Sequence, residues 1–93
     1  MDLTVADVPD RSRYEVSVDG KVVGFSAYHR LEDGVLALPH VEVDPVHQGR
    51  GVAAELMRRS LDDVRAKGLK VMPVCPYARA YIAKNGEYAD LVQ

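Results

Sequence analysis

The stretch DPVHQGRGVAAELMRRS, residues 44–60, changes character halfway. Asp44 to Gly51 is turn-rich, with Gly49 and Gly51 on either side of Arg50, and from Val52 the apolar residues recur at helical spacing. A glycine loop opening into a helix can receive an anion, because the first four amide donors of a helix have no acceptor of their own. Those donors also lie at the positive end of a macrodipole worth about half an elementary charge. A tight turn, which needs the glycines only for their backbone freedom, competes with these anion-binding readings.

The sequence around the loop sets the fold. From about Gly51 to Lys67, Val52, Ala53, Leu56, Met57, Ser60, Leu61 and Val64 share one helical face, and Gly68 supplies the stop. Upstream, RYEVSV (13–18), KVVGFSAYHRL (21–31) and VLALPHVEV (35–43) read as strands. Asp19-Gly20 is a strong hairpin signal, and Glu32-Asp33-Gly34 makes a second turn. Pro39 inside the third strand predicts a bulge, which re-aims side chains and frees backbone groups. Downstream, LKVMPVC (69–75) is long enough for a buried strand and too short for a helix. The right-handed crossover rule sets it parallel to the third strand. Pro76 sits where a first helical residue would, and Tyr77, Ala80, Tyr81 and Lys84 follow at helical spacing. Gly86 ends that helix and EYADLVQ is a short tail. Residues 1–12, polar and containing Pro9, are expected as a loosely ordered lead-in. The expected fold class is α/β (α+β), one domain over residues 1–93 in the order β-β-β-α-β-α. An antiparallel three-strand meander is followed by a βαβ unit, with a cleft between its third and fourth strands.

Composition narrows the function classes. A net charge of −2 over 93 residues argues against a nucleic-acid module, which carries a basic face. No apolar run approaches the ~20 residues that span a bilayer. The N-terminal residues hold no apolar signal core, and Cys75 is the sole cysteine, so a cytoplasmic location is expected. His29, His40, His47 and Cys75 fall at no metal-finger spacing, so no metal is expected. The charges along RYEVSV oppose pairing of that strand edge with a second copy, and a monomer is expected.

Gly49-Arg50-Gly51-Val52-Ala53-Ala54 fits a dinucleotide fingerprint, yet that fingerprint wants an acid ending the next strand, and here the strand ends MPVC. A P-loop lacks its lysine. Gln48-Gly49-Arg50-Gly51-Val52-Ala53, preceded by Val43-Asp44-Pro45, resembles the loop signature of the GNAT superfamily of acetyl-CoA-dependent N-acetyltransferases. His40-Val41-Glu42-Val43 before the loop and the segment CPYARAY (75–81) after it resemble the very small, single-domain branch of that superfamily. The likeness covers about residues 13 to 92.

The resemblance implies a CoA pyrophosphate on the backbone of residues 48–53, named residue by residue as Gln48, Gly49, Arg50, Gly51, Val52 and Ala53. It implies a pantetheine arm beside the backbone of Val41 and Val43. Acetyl-CoA is the implied cosubstrate and an amine the acceptor. A lysine amine is about three units from neutral at physiological pH, a cost near ~4 kcal/mol, so a base or proton relay is expected. Cys75, at a strand end and capping the next helix, is a candidate acyl carrier or a thiol beside the acetyl group, since a helix N-terminus favours the thiolate. Its plainer use is as a small buried apolar filler. His40 and Glu42, two apart on a strand, share a face and are candidates for taking the amine proton in the cleft. Tyr81 is the candidate acid for the leaving thiolate, although it falls one residue short of the family's usual tyrosine. Arg79 and Lys84 are candidate phosphate or adenosine contacts, and His47 is expected to be exposed. The acceptor is unnamed, with a protein or peptide amine favoured. The alternative is a non-catalytic CoA- or acyl-CoA-binding module.

Overall fold

Five strands form one sheet in chain order: β1 (Leu3–Val8), β2 (Arg13–Val18), β3 (Lys21–Arg30), β4 (Val35–Val43) and β5 (Lys70–Pro73). The computed structural model describes residues 2–93, and Met1 lies outside the described residues. The first four strands run as an antiparallel meander. Helix α1 (Val52–Ala66) then leads to β5, which lies parallel to β4, and helix α2 (Pro76–Lys84) follows. The expected parallel pairing and the two helices are therefore present.

The lead-in expected over residues 1–12 is corrected by β1. Leu3–Val8 pairs with β2 along its whole length, from Leu3 opposite Val18 to Val8 opposite Arg13. Leu3 and Val5 pack against the core while Thr4 and Ala6 are exposed, the alternation of a half-buried strand. The Arg59 guanidinium donates to the Leu3 carbonyl at 2.9 Å and ties the strand to α1. The meander thus has four strands rather than three, and the edge of RYEVSV is covered.

One core lies between the sheet and both helices. Tyr14, Val16, Leu36, Leu38 and Val43 from the sheet meet Val52, Leu56, Met57, Leu61 and Val64 of α1 and Ala78 and Ile82 of α2. Leu56 and Met57 are wholly buried, so truncating either to alanine costs about 2–5 kcal/mol. The EYADLVQ tail also packs: Gly86–Leu91 is a 3-10 helix burying Tyr88 and Leu91, and Val92 bridges to Val71 of β5. The other face of the sheet carries Arg13, Glu15, Phe25, His40 and Glu42, which the register brings into neighbouring rows.

A bulge on β4 shapes the cleft. Ala27 of β3 pairs with His40 and His29 with Ala37, so Tyr28 alone faces both Leu38 and Pro39. The extra residue shifts the side-chain alternation, and Val41 and Val43 turn to the core face already used by Leu36 and Leu38. Pairing with β5 covers only Val35–Leu38. It stops where the amides of Val74 and Cys75 both donate to the Leu38 carbonyl, at 3.1 and 2.8 Å. Past that point the outer edge of β4 has no strand partner among the described residues.

The C-terminal end of α1 is held by a polar cluster. Tyr14 donates its hydroxyl to Asp63 at 2.7 Å and Tyr28 donates to Asp7 at 2.7 Å, while the Lys67 ammonium joins Asp63 at 2.7 Å and Asp7 at 2.9 Å. Burial and the Asp7 carboxylate push the Tyr28 phenol up to about 12. Asp63 and Asp7 raise the Lys67 ammonium to about 12.

Candidate active site

The loop after β4 is a single 3-10 turn, Pro45–His47, followed by Gln48 and the two glycines. Gly49 and Gly51 both sit at φ 78°, a left-handed backbone that strains any residue with a Cβ, and a Cβ at either would meet no protein atom within 4 Å. Glycine is required by conformation, and the space above it is open. Gly51 is also the N-cap of α1 and supplies no side-chain cap. The first helical bond runs from the Glu55 amide to the Gly51 carbonyl at 3.0 Å, which leaves the amides of the opening turn without helical acceptors. Glu55 is an acid in that first turn, and hydrogen bonds from Arg58 and Arg59 hold its carboxylate.

These amides border a pocket of about 240 Å³ lined by Val43, His47, Gln48, Gly49, Gly51, Val52, Ala53, Ala54 and Tyr77. Of the residues expected to hold a pyrophosphate, Gln48, Gly49, Gly51, Val52 and Ala53 are here. Gln48 acts indirectly: its side-chain amide donates to the Val43 carbonyl at 3.0 Å and pins the loop to the strand. Arg50 does not line the pocket and is exposed. His47, expected to be exposed, is half-buried and lines the pocket. The 3-10 turn begun by Pro45 carries it there, and that proline is the sequence signal for its placement.

A second pocket of about 410 Å³ adjoins the first through Ala54 and Tyr77 and is completed by Ala80, Tyr81, Lys84 and Asn85. Tyr81 lies between Tyr77 and Tyr88, ring centroids 6.5 and 6.2 Å away. Burial raises the phenols of both Tyr77 and Tyr81. Tyr81 is thus in the second pocket and not beside the loop. Lys84 lines the same pocket, and Arg79 lines neither.

From the loop, the free edge of β4 leads toward Cys75. The Asp44 amide donates to the Val23 carbonyl at 2.7 Å, so alternate residues of this stretch face β3 and those between face outward. Val43, whose carbonyl meets Gln48, and Val41 belong to the outward set. Cys75 is the N-cap of α2, accepting the Arg79 amide at 3.0 Å through its carbonyl while its own amide is bonded to Leu38. It is 7% exposed, belongs to the core and lines neither pocket.

His40 and Glu42 come together as a pair, Nε2 to Oε1 3.2 Å, with both side chains more than half exposed. They were expected to point into the cleft. The alternation that sends Val41 and Val43 to the core instead sends these two to the sheet face away from the helices, where the His40 ring lies 5.8 Å from that of Phe25. They line neither pocket.

Residues 13–91 match the family described as GCN5-related N-acetyl-transferase. Human protein NATD1 is 33% identical over 58 residues, which are 62% of this chain and 51% of that protein, so the chain spans about half the length of the curated relatives it matches. A GCN5-like protein from Staphylococcus aureus, solved by NMR, superposes with a TM-score of 0.74 at 17% identity, over 98% of this chain and 88% of that one. Rv2747 from Mycobacterium tuberculosis, solved in complex with CoA, gives a TM-score of 0.64 at 26% identity over 81% of this chain and 47% of that one. The sheet, the glycine loop and a match covering most of its length agree, and the chain belongs to the GCN5-related N-acetyltransferase family.

Proposed function

We propose that the protein is an acetyl-CoA-dependent N-acetyltransferase acting on a protein or peptide amine. One observation carries the reading: the glycine loop and the uncapped start of α1 line a pocket with Val43 of β4, whose outer edge is unpaired back to the Leu38 carbonyl where Cys75 is anchored. The pyrophosphate takes the amides from Gly49 to Ala53. The pantetheine arm lies along Val41 and Val43, and the adenosine end reaches the second pocket, where Lys84 meets its phosphate. The amine nitrogen attacks the thioester carbonyl, the C–S bond breaks and CoA leaves as thiolate. An acceptor that approaches from the sheet face away from the helices meets His40 and Glu42, which take its proton directly or through water. Cys75 contributes either as a neighbour of the acetyl group or as its carrier, the acetyl passing from CoA sulfur to Sγ and then to the amine. The uncovered face of the sheet beside His40 and Glu42 leaves room for a polypeptide.

The test follows CoA thiol release from acetyl-CoA with peptide, polyamine and small-amine acceptors. Acceptor-dependent release that Glu42→Gln lowers about 10²-fold is expected. An acetyl adduct on Cys75 by mass spectrometry, with loss of turnover in Cys75→Ala, assigns the carrier role, and full turnover in that variant removes it. A binding-only module is favoured by one observation, the burial of Cys75 away from both pockets. Acetyl-CoA binding without release by any amine selects that reading.

A further inference from the structure

The anion pocket contains no permanent cation. Among its described lining residues only His47 and Tyr77 carry an ionisable side chain, and no lysine or arginine joins them. His47 is held half-buried at the end of the Pro45–His47 turn, with its amide donating to the Asp44 carbonyl at 2.9 Å. Its Nδ1 is shut off from solvent and has no hydrogen-bond partner, which leaves Nε2 as the ring nitrogen that can meet an anion. The one imidazole–carboxylate pair among the described residues is His40 with Glu42, so no carboxylate neutralises a charged His47 ring. β4 offers Val43, α1 offers Val52, Ala53 and Ala54, and α2 offers Tyr77, whose phenol burial keeps neutral. On the loop itself Asp44 and Arg50 are exposed, and neither lines the pocket.

A ring with no protein counter-charge, placed at an anion site, gains one only when the anion arrives. We propose that His47 is the titratable cation of the phosphate pocket, taking up a proton as CoA binds and making affinity rise as pH falls through the imidazole range. The proposal rests on the CoA reading of the loop. Linkage fixes the sign: the pyrophosphate favours the charged ring, so protons and CoA each promote binding of the other. An imidazole changes charge between roughly pH 5 and 8, so the effect falls where a cell can use it. Arg50 cannot replace this response, since a guanidinium stays charged throughout.

The experiment is calorimetry with 3′-dephospho-CoA, which lacks the phosphate monoester that would itself titrate near neutrality. Wild-type protein is expected to bind about tenfold more tightly at about pH 5.5 than at about pH 8, the size of a charge-assisted contact. Binding heats in buffers of different ionisation enthalpy should report net proton uptake. His47→Gln should bind with the weaker affinity at both pH values and take up no proton. His47→Lys should bind tightly at both. A flat wild-type profile, or the wild-type slope retained in His47→Gln, overturns the proposal. Absence of binding by both CoA and 3′-dephospho-CoA at either pH overturns the CoA reading itself, a result distinct from a flat profile.

Discussion

At its N-terminal end α1 begins on Gly51 with no side chain capping it, and the residues of its first turn line a pocket. At its other end, past fifteen helical residues, Lys67 joins Asp63 and Asp7, and each of these carboxylates also accepts a tyrosine hydroxyl. One helix thus has an end whose polar groups lack protein partners and an end whose polar groups are matched to one another. The matched end supports the fold, and the unmatched end is available to a ligand. Damage at one end should therefore appear in binding and damage at the other in stability.

The sharpest attempt to break this division is Gly51→Glu, which sets a carboxylate among the amides at a left-handed backbone position. CoA affinity should fall by more than about hundredfold in calorimetry, with strain near ~1–2 kcal/mol seen in denaturant unfolding. Gly24→Ala should cross the division. A Cβ there would come within 2.6 Å of the Glu42 carbonyl and 3.0 Å of Val43 Cγ2, pushing β4 toward the cleft. Both a loss of about 1–3 kcal/mol in chemical denaturation and weaker CoA binding are expected. Asp63→Ala tests the matched end, because it strands the hydroxyl of Tyr14, a residue 2% exposed. The expected loss is about 1–3 kcal/mol with CoA affinity within about twofold of wild type. A large drop in affinity there would show that the two ends are coupled.

Extremes of pH should strike the matched end first. Burial opposes ionisation of Asp63, but the Lys67 ammonium and the Tyr14 hydroxyl outweigh it and hold the carboxyl below its usual range. Its stabilisation is present above the ordinary carboxylate range and is lost as acid passes through the lowered value. Lys67 and Tyr28, both raised to about 12, give stability that is complete below about 10 and lost as pH climbs toward 12. Melting temperature against pH should fall in both windows, and Lys67→Met should shrink the alkaline one. Arg50→Ala should have the smallest effect, less than about threefold on CoA affinity, since that side chain is exposed and outside the pocket.

The elements legible in the sequence are those that chemistry marks locally. Gly51 and Gly68 bracket α1, Asp19-Gly20 turns the β2–β3 hairpin, and Pro39 announces the bulge. The anion loop is legible for the same reason, since glycines beside a helix start act within a few residues. β1 was hidden because Asp7 and Pro9 dilute a short alternation of Leu3 and Val5, and its worth comes from pairing with β2 and from Arg59, far along the chain. The cluster around Lys67 joins residues up to 60 apart, a distance at which spacing carries no information. His40 and Glu42 were read as a pair correctly and aimed wrongly. Strand alternation tells which residues share a face, while the bulge and the helices decide which face is covered.

The unequal lengths of β4 and β5 have a further consequence. Pairing ends at Leu38 and β4 runs on to Val43, so five residues, about 17 Å at ~3.3 Å each, separate the loop from the point where the sheet closes. The strand is therefore a ruler. Anything held by the glycine loop at one end presents its other end at a fixed reach. A longer or shorter β5 would reset that reach without altering the glycine loop that holds the ligand.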